Sequence, residues 1–297
     1  MRDNLFPKVP DQHKAGTPLV PNGVGVIYVL FTTVYLFLIY FSGISPAANG
    51  VSAPLTLAVC ILFGGFMGLL DDWMDLRWRY KAFMPLIAAL PLIYLVMENP
   101  SMRTSISLPF IGMIQFGSAY YFVIIPLIVM VVTNVVNQLG GLNGLETVCP
   151  AIILIGLMAL SQSYLILMIG PLILWLALAV LNFQGKIFVG NSGSFAIGMT
   201  IASFAVITDL KSTLLVSIIP YIFNSALILL TIFFTKKRAT VSVEGNKFTS
   251  NHRRSLVTLL TYHKPLTERQ VVAIISLLIA IFVSIAVLAE LPWSLFA

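Results

Sequence analysis

The chain has 297 residues, of which 59% are hydrophobic and 9% are charged, and its mean hydropathy is +0.98. A soluble domain carries roughly 25% charged residues, so this composition excludes a soluble globular enzyme, a disordered chain and a secreted disulfide scaffold. Two cysteines are too few for a disulfide framework or a structural zinc site, and the net charge of +6 indicates membrane topology rather than nucleic-acid binding.

Long apolar runs predict an all-α polytopic membrane protein, organised as one integral membrane domain over residues 1–297. A bilayer core needs roughly 20 apolar residues per helix, and nine such runs follow a polar, non-helical segment at 1–23. They lie at 24–44, 53–70, 82–98, 119–137, 146–161, 164–182, 193–208, 213–234 and 268–290. Between the third and fourth runs, an alternating stretch near 103–117 predicts a small extracytosolic hairpin.

The basic residues predict how these spans are oriented. If nine spans alternate across the membrane, 15 of the 17 Lys and Arg residues fall on or beside one set of connecting segments, and only Arg103 and Lys211 fall on the other. Because Lys and Arg are enriched on the cytosolic side, we expect the N-terminus inside and the C-terminus outside. The polar loops are then cytosolic, and we expect them to form the active site: 71–81, 138–146, 183–192 and 235–267.

The first polar motif places Asp71, Asp72 and Asp75 within five residues at the end of the second span. Adjacent carboxylates at a membrane edge repel each other and are costly to desolvate. A divalent cation or a proton-transfer role would explain them. The alternative is a solvated loop in which these acids balance Arg77 and Arg79.

Two further motifs are rich in amide and small residues. The first comprises Asn134, Asn137 and Asn143-Gly144-Leu145-Glu146, and it forms either a ligand-binding surface or a helix C-cap and turn. The second runs from Asn182 to Ser194 and contains Gly190-Asn191-Ser192-Gly193-Ser194 at the start of a span. There, free N–H groups at a helix N-terminus could bind an anion, or an Asn or Ser side chain could cap them.

The longest loop, 235–267, carries two basic groups. Lys236-Lys237-Arg238 directly follows a span and is typical of a topology signal that contacts anionic lipid. His252-Arg253-Arg254 combines one titratable side chain with two bidentate phosphate binders. Together, the four motifs suit a divalent metal that bridges a diphosphate, with cations neutralising the remaining charge.

These four motifs, in this order, resemble the polyprenyl-phosphate N-acetylhexosamine-1-phosphate transferase family, a glycosyltransferase family 4 type. The run from Asp72 to Lys81 is especially similar to the eukaryotic dolichyl-phosphate branch. The resemblance implies transfer of a sugar-1-phosphate, expected to be GlcNAc-1-phosphate, from a UDP-sugar to a polyprenyl phosphate, with release of UMP. It implies Mg²⁺, or Mn²⁺ in its place, as the cofactor. It also implies a site on the cytosolic face of a prokaryotic plasma membrane or, in a eukaryote, the endoplasmic reticulum; a homodimer is left open.

The resemblance also assigns roles to residues. The catalytic residues would be Asp71, Asp72 and Asn191, and the metal ligands would be Asn137, Asn191 and Asp72. Lys81 and Arg253 would meet the lipid phosphate. The nucleotide-sugar would contact Asn143, Gly144, Asn182, Phe188, His252 and Arg254.

Two features depart from the family pattern. Asn191 stands where the family usually has Asp, which predicts weaker metal binding. It also favours, as an alternative, a catalytically silent member that binds UDP-sugar or lipid phosphate without turnover. The family's first helix has no counterpart before Lys14, in keeping with nine spans instead of ten. A transporter is the third alternative, but the mid-membrane positions carry almost no ionisable residues.

Overall fold

The computed structural model describes residues 5–14, 16–44, 51–100, 102–108, 112–236 and 239–291. Within these ranges the chain is mostly helical. The helices are α1 (Gly25–Phe41), α2 (Ala53–Met74), α3 (Trp78–Phe83), α4 (Pro85–Ala88), α5 (Leu90–Met97), α6 (Ile125–Leu139), α7 (Leu145–Leu160), α8 (Leu165–Phe183), α9 (Gly190–Ile207), α10 (Lys211–Ser217), α11 (Ile219–Thr235), α12 (Leu256–His263) and α13 (Glu268–Glu290).

The prediction of a mostly helical, polytopic membrane protein is confirmed. Six helical stretches in the described ranges are long and apolar enough to cross a membrane, and α10 with α11 makes a seventh if this pair, bent by 54°, is one span. The helices α1 and α7 are shorter apolar helices at the other two predicted positions. The count of nine spans stays a prediction.

Two predicted spans are interrupted, which the hydropathy pattern did not indicate. The third is divided into α3, α4 and α5, and Pro85 and Pro91 lie at the starts of α4 and α5. The eighth bends between α10 and α11, next to Pro220. Proline lacks the N–H that continues a helix ladder, so each of these positions breaks or bends an otherwise apolar run.

Helix α9 lies at the centre of the bundle. It packs against α1, α2, α6 and α7, and every residue from Ser192 to Ile207 is buried. Small residues allow the closest of these approaches, because a Cβ on Gly68 of α2 would overlap the backbone of Asn191 and Ser192. Small side chains at membrane helix contacts let backbones approach in this way.

Three short β-structures connect the helices. Strands β1 (Lys8–Pro10) and β2 (Leu19–Pro21) pair in the N-terminal segment. Strands β3 (Ser105–Leu108) and β4 (Gly112–Gln115) form the predicted hairpin, with residues 109–111 outside the described ranges. Strands β5 (Ser242–Glu244), β6 (Lys247–Thr249) and β7 (Leu266–Thr267) form a three-stranded antiparallel sheet.

The connecting segment 235–267 is not irregular throughout, because it contains this sheet and the helix α12. The turn between β5 and β6 uses Gly245 in the left-handed region, with φ at 63°. Phe248 is buried on β6, so this sheet has an apolar side of its own. Lys237 and Arg238 lie outside the described residues.

The two ends of the bundle carry different polar groups. We call the end that holds β1–β2, the connections 140–144 and 184–189, and β5–β7 the site face. The 18 residues of α9 extend for about 27 Å, so Asp209 lies at the opposite end. There, Arg103 Nε is 2.7 Å from Asp209 Oδ2, and Lys211, buried against the Tyr120 ring, also pairs with Asp209. These ion pairs attach the hairpin to the end of α9.

Candidate functional site

The sequence predicts the two adjacent aspartates in a loop, but they lie on the last turn of α2. This helix continues to Met74, and Asp75 then adopts a left-handed conformation. The Asp72 carboxylate accepts hydrogen bonds from the first turn of α9. Its Oδ1 is 2.9 Å from the Asn191 N–H nitrogen and its Oδ2 is 3.0 Å from that of Ser192. A carboxylate is favourable at the positive end of a helix dipole.

This contact matches neither interpretation of the motif at 190–194 as stated. The N–H groups of Asn191 and Ser192 are bonded to a carboxylate of the protein, and no side chain at the start of α9 caps them. The capping group comes from α2 rather than from an Asn or Ser at the start of α9. Gly190 enables the approach, because its φ is 71° and a Cβ there would lie 2.9 Å from Asp72 Oδ2.

The predicted metal ligands Asp72, Asn137 and Asn191 are brought together at this helix start. The Ser194 hydroxyl donates a 2.6 Å hydrogen bond to Asn137 Oδ1 at the end of α6, and it also lies 3.4 Å from the Asn191 carbonyl. Residues from α2, α6 and α9 therefore meet around one turn of helix. Gly140, directly after α6, is the C-cap that the sequence suggested.

Asp71 points in a different direction and is paired with Lys81. Its Oδ1 lies 2.7 Å from Lys81 Nζ and accepts a 3.1 Å hydrogen bond from the Leu76 N–H. The carboxylate is buried, and its Oδ2 has no hydrogen-bond partner among the described residues. A buried carboxylate oxygen that lacks a partner is costly, so Oδ2 is an acceptor whose hydrogen-bonding capacity is unused in this structure.

Asn182 joins two connections of the site face. Its Oδ1 accepts hydrogen bonds from the Gly144 N–H at 2.7 Å and the Thr147 hydroxyl at 3.0 Å. Its Nδ2 donates to Glu146 Oε1 at 2.9 Å and to the Ile187 carbonyl at 3.0 Å. These four bonds use the whole amide, so in this structure Asn182 fixes the start of α7 against the segment that leads to α9.

Asn143, on the connection between α6 and α7, is buried between two acidic side chains. Its Nδ2 donates to Asp11 Oδ2 at 2.9 Å and to Glu268 Oε1 at 3.0 Å. Glu268 Oε1 also accepts the Asn143 backbone N–H at 2.8 Å. The N-terminal segment and the start of α13 thus converge on one predicted nucleotide-binding residue.

An open cleft of about 250 Å³ lies between the N-terminal segment and these connections. Phe188, a predicted nucleotide contact, forms part of its wall, and its backbone pairs with Pro21 and Val24. The cleft is lined by residues 10–13 together with Asn22, Gly141, Glu146, Phe188 and Gly190. Ligand pockets are concave and carry a few convergent polar groups, and this cleft has both properties.

The predicted basic group lies beside the three-stranded sheet, on the segment between β6 and α12. The Arg253 guanidinium packs 4.3 Å above the Tyr262 ring. Burial and the neighbouring Arg254 lower the pKa of His252 below its ordinary value, so this imidazole is neutral near pH 7. The sheet reaches the cleft through Phe248, whose ring centroid is 5.6 Å from that of His13.

The residues around Asp72 fit a magnesium ion by the chemistry of their donors. No group of three His, Cys, Asp or Glu side chains arranged as metal ligands occurs in the part of the chain that the structure describes. The donors here are instead one carboxylate and two amides. Mg²⁺ prefers oxygen ligands and is usually held by one or two carboxylates together with substrate phosphates, which this set can satisfy.

Three acidic residues at the site face received no role in the sequence-based assignment: Asp11, Glu146 and Glu268. Glu146 belonged to a recognised motif but received no role, although it is half-buried in the cleft wall. Asp11 and Glu268 lie more than a hundred residues from Asn143, so no local spacing could indicate the contact. The burial of Asp11 in the polar N-terminal segment can be recognised only in the folded structure.

Comparisons with known proteins identify relatives of this chain. The profile described as Glycosyl transferase family 4 matches residues 54–209, which include Asp71, Asp72, Asn137 and Asn191. A Saccharolobus solfataricus protein with the name putative UDP-N-acetylglucosamine–dolichyl-phosphate N-acetylglucosaminephosphotransferase is 30% identical over 290 residues, which cover 94% of this chain and 87% of that protein.

Two further relatives come from a yeast and a bacterium. The Saccharomyces cerevisiae UDP-N-acetylglucosamine–dolichyl-phosphate N-acetylglucosaminephosphotransferase is 26% identical, over 74% of this chain and 59% of its own length. The Streptococcus agalactiae phospho-N-acetylmuramoyl-pentapeptide-transferase is 28% identical, over 80% of this chain and 74% of its own length. The matched family region contains the helix start where the predicted metal ligands meet, and this chain belongs to glycosyl transferase family 4.

Proposed function

We propose that this protein transfers GlcNAc-1-phosphate from UDP-GlcNAc to a polyprenyl phosphate of the dolichyl type and releases UMP. The observation that carries the proposal is the meeting of Asp72, Asn137 and Asn191 at the start of α9, beside the cleft of about 250 Å³. The names of the archaeal and yeast relatives support GlcNAc as the sugar and dolichyl phosphate as the acceptor.

The reaction joins two anions, and the residues of the site address their repulsion. An oxygen of the lipid phosphate attacks the phosphorus next to the sugar, the bond from that phosphorus to the bridging oxygen breaks, and UMP leaves with the electron pair. Asp72, with the amide oxygens of Asn137 and Asn191, would hold Mg²⁺, which neutralises diphosphate charge when bound. Lys81 and Arg253 would supply positive charge for phosphate, and Asp71, whose Oδ2 has no hydrogen-bond partner among the described residues, would accept a proton from the lipid phosphate.

The direct test is thin-layer chromatography of lipid products after incubation of the purified protein with labelled UDP-GlcNAc, Mg²⁺ and dolichyl phosphate. We expect a labelled lipid and stoichiometric UMP. Retained UDP-GlcNAc binding without a lipid product would instead support the silent family member. Movement of UDP-sugar into proteoliposomes without product would support a transporter.

Asn191→Asp is expected to increase both metal affinity and turnover. The residue lies in the first turn of α9, where the helix dipole favours an added negative charge. The added carboxylate would also lie beside that of Asp72. The two carboxylates should therefore bind a divalent cation about tenfold more tightly than one, a difference of ~1.4 kcal/mol. Mn²⁺ binding followed by electron paramagnetic resonance measures this without turnover.

Asn246→Asp is the matched control, because it adds the same charge at an exposed turn between β5 and β6. It should leave Mn²⁺ affinity unchanged. If Asn191→Asp binds Mn²⁺ no better than the unaltered protein, position 191 does not ligate the metal.

We also propose that the site face is cytosolic, on the basis of the 15-to-2 distribution of basic residues. Asn246 and Met113 are exposed on the site face and on the opposite hairpin, while Cys60 and Cys149 are buried. A membrane-impermeant thiol reagent should label the Met113→Cys variant in intact cells. It should label the Asn246→Cys variant only after the cells are permeabilised. The reverse pattern would invert the topology.

A further inference from the structure

The Asn143 side chain is held in one orientation by groups that only accept hydrogen bonds. A carboxamide can rotate by 180° to exchange its oxygen and its NH₂ group, and both states have similar shapes. Here, Asp11 Oδ2 and Glu268 Oε1 lie 2.9 Å and 3.0 Å from Asn143 Nδ2. An ionised carboxylate has no hydrogen to donate. The rotated state would place the amide oxygen against two acceptors, so the NH₂ group must face them.

The opposite side of this amide is an acceptor without a partner. Asn143 is 4% exposed, and its Oδ1 has no hydrogen-bond partner among the described residues. A Cβ built on Gly185 would lie 3.6 Å from Oδ1, and the Lys14 ammonium occupies the place of that Cβ. The Lys14 ammonium is therefore a neighbour of this side of the amide. The Lys14 side chain is one-third exposed, and a ligand would reach Oδ1 by displacing it. A buried acceptor of this kind favours a ligand that donates.

We propose that Asp11 and Glu268 are positioning residues that fix the Asn143 amide so that its oxygen alone meets the base of the nucleotide-sugar. This inference rests on the proposed function for the presence of a uracil nucleotide. Uracil carries a ring N–H between its two carbonyl groups, whereas cytosine has a bare nitrogen at the same place. An oxygen held at this position accepts from uracil and repels cytosine. The two acids thus select the base without touching it.

Both acids are anchored well enough to hold this orientation. Asp11 is 1% exposed, and its Oδ1 accepts the His13 N–H at 3.1 Å. Its Oδ2 also pairs with Lys14 at 3.4 Å. Glu268 lies in the first turn of α13 and accepts both the side-chain and the backbone N–H of Asn143. A pre-organised group of this kind discriminates between ligands because the wrong one leaves a buried polar atom unpaired.

The test exchanges the polarity of the cluster while keeping its shape. In the double variant Asp11→Asn, Glu268→Gln, the Asn143 amide is free to rotate and can offer N–H or oxygen. We expect UMP affinity to fall roughly tenfold and the preference for UMP over CMP to disappear. Adding Asn143→Asp to the double variant restores an acceptor that needs no orientation, because the two introduced amides can donate to it. The triple variant should regain the preference for UMP.

Calorimetric binding of UMP and CMP to the full-length protein is the readout, with thermal unfolding to check that each variant is folded. If the double variant does not fold, the single variants Asp11→Asn and Glu268→Gln replace it, each with a smaller loss. Glu244→Gln, the same change at an exposed site on β5, should alter neither affinity. A merely structural role for the two acids would lower both affinities equally and would not be rescued by Asn143→Asp.

The two proposals fail in different ways. If the unaltered protein prefers UMP and the preference follows the polarity exchange, the inference holds even when no lipid-linked sugar is made. If lipid-linked sugar is made but the double variant keeps its preference for UMP, the positioning role is wrong. Equal affinity of the unaltered protein for UMP and CMP would also overturn it.

Discussion

Replacing Asp72 by Asn should reduce transferase turnover by at least about a hundredfold and weaken Mn²⁺ binding by a similar factor. Asp72 is the one charged group among the three predicted metal ligands. Its two oxygens also accept the N–H groups of Asn191 and Ser192, so an amide in its place would direct NH₂ hydrogens at one of those N–H groups. Turnover of UDP-GlcNAc, Mn²⁺ binding and thermal unfolding would be measured on the same preparation.

The size of the activity loss separates the two roles of this carboxylate. Loss of a helix cap costs about 1 kcal/mol of stability, which lowers the unfolding temperature by a few degrees at most and leaves the folded enzyme active at 25 °C. Asp75→Asn is the control, because Asp75 is fully exposed and its pairing with Lys81 at 3.6 Å is weak in water. It should change turnover by no more than about twofold. If the Asp72→Asn enzyme loses stability but keeps its turnover, Asp72 caps α9 and has no role in metal binding or catalysis.

Gly68→Ala should reduce turnover by about a hundredfold through a single added methyl group. Gly68 lies one helical turn before Asp72, and a Cβ there would overlap the Asn191 carbonyl and the Ser192 Cα. Since backbone atoms cannot move aside as a flexible side chain can, α2 and α9 must separate. Overpacking of this kind costs about 1–3 kcal/mol, and it displaces Asp72 from the groups that it contacts.

Leu69→Ala provides the comparison for this variant. Leu69 is the next residue on α2 and is 47% exposed on the outer surface of the bundle, so its truncation does not alter the contact with α9. Its turnover should stay close to that of the unaltered protein. Full activity and an unchanged unfolding temperature in Gly68→Ala would show that the helices tolerate a wider separation, and the close approach would then have no catalytic importance.

Hydropathy predicted the positions of the long apolar helices, because each of the nine apolar runs forms helix in the described ranges, but it missed α12 in the segment 235–267. It did not predict the breaks at Pro85, Pro91 and Pro220, since an interrupted span has the same mean hydropathy as a straight one. The sheet in 235–267 was missed for a related reason. Its strands are two or three residues long, which is too short for an alternating pattern to be recognised.

The predicted site residues were assigned by resemblance, and the structure brings Asp72, Asn137 and Asn191 to one helix start. Sequence reasoning did not indicate that Asp72 itself would bond to the α9 N–H groups. It also missed Asp11 and Glu268, because their contacts with Asn143 depend on the packing of distant segments. Motifs identify which residues matter, whereas their partners depend on three-dimensional contacts that no spacing rule contains.

The burial of α9 has a consequence for how the protein is made. Its mean hydropathy of 1.3 is the lowest among the six long apolar stretches, and 89% of its most apolar window is buried by protein. A helix with Ser, Thr and Gly along its length partitions weakly into lipid when alone. Its retention in a bilayer would depend on helices such as α2 and α6, which pack against it and precede it in the chain. We therefore expect α9 to enter the bilayer from the translocon only after the earlier helices have assembled.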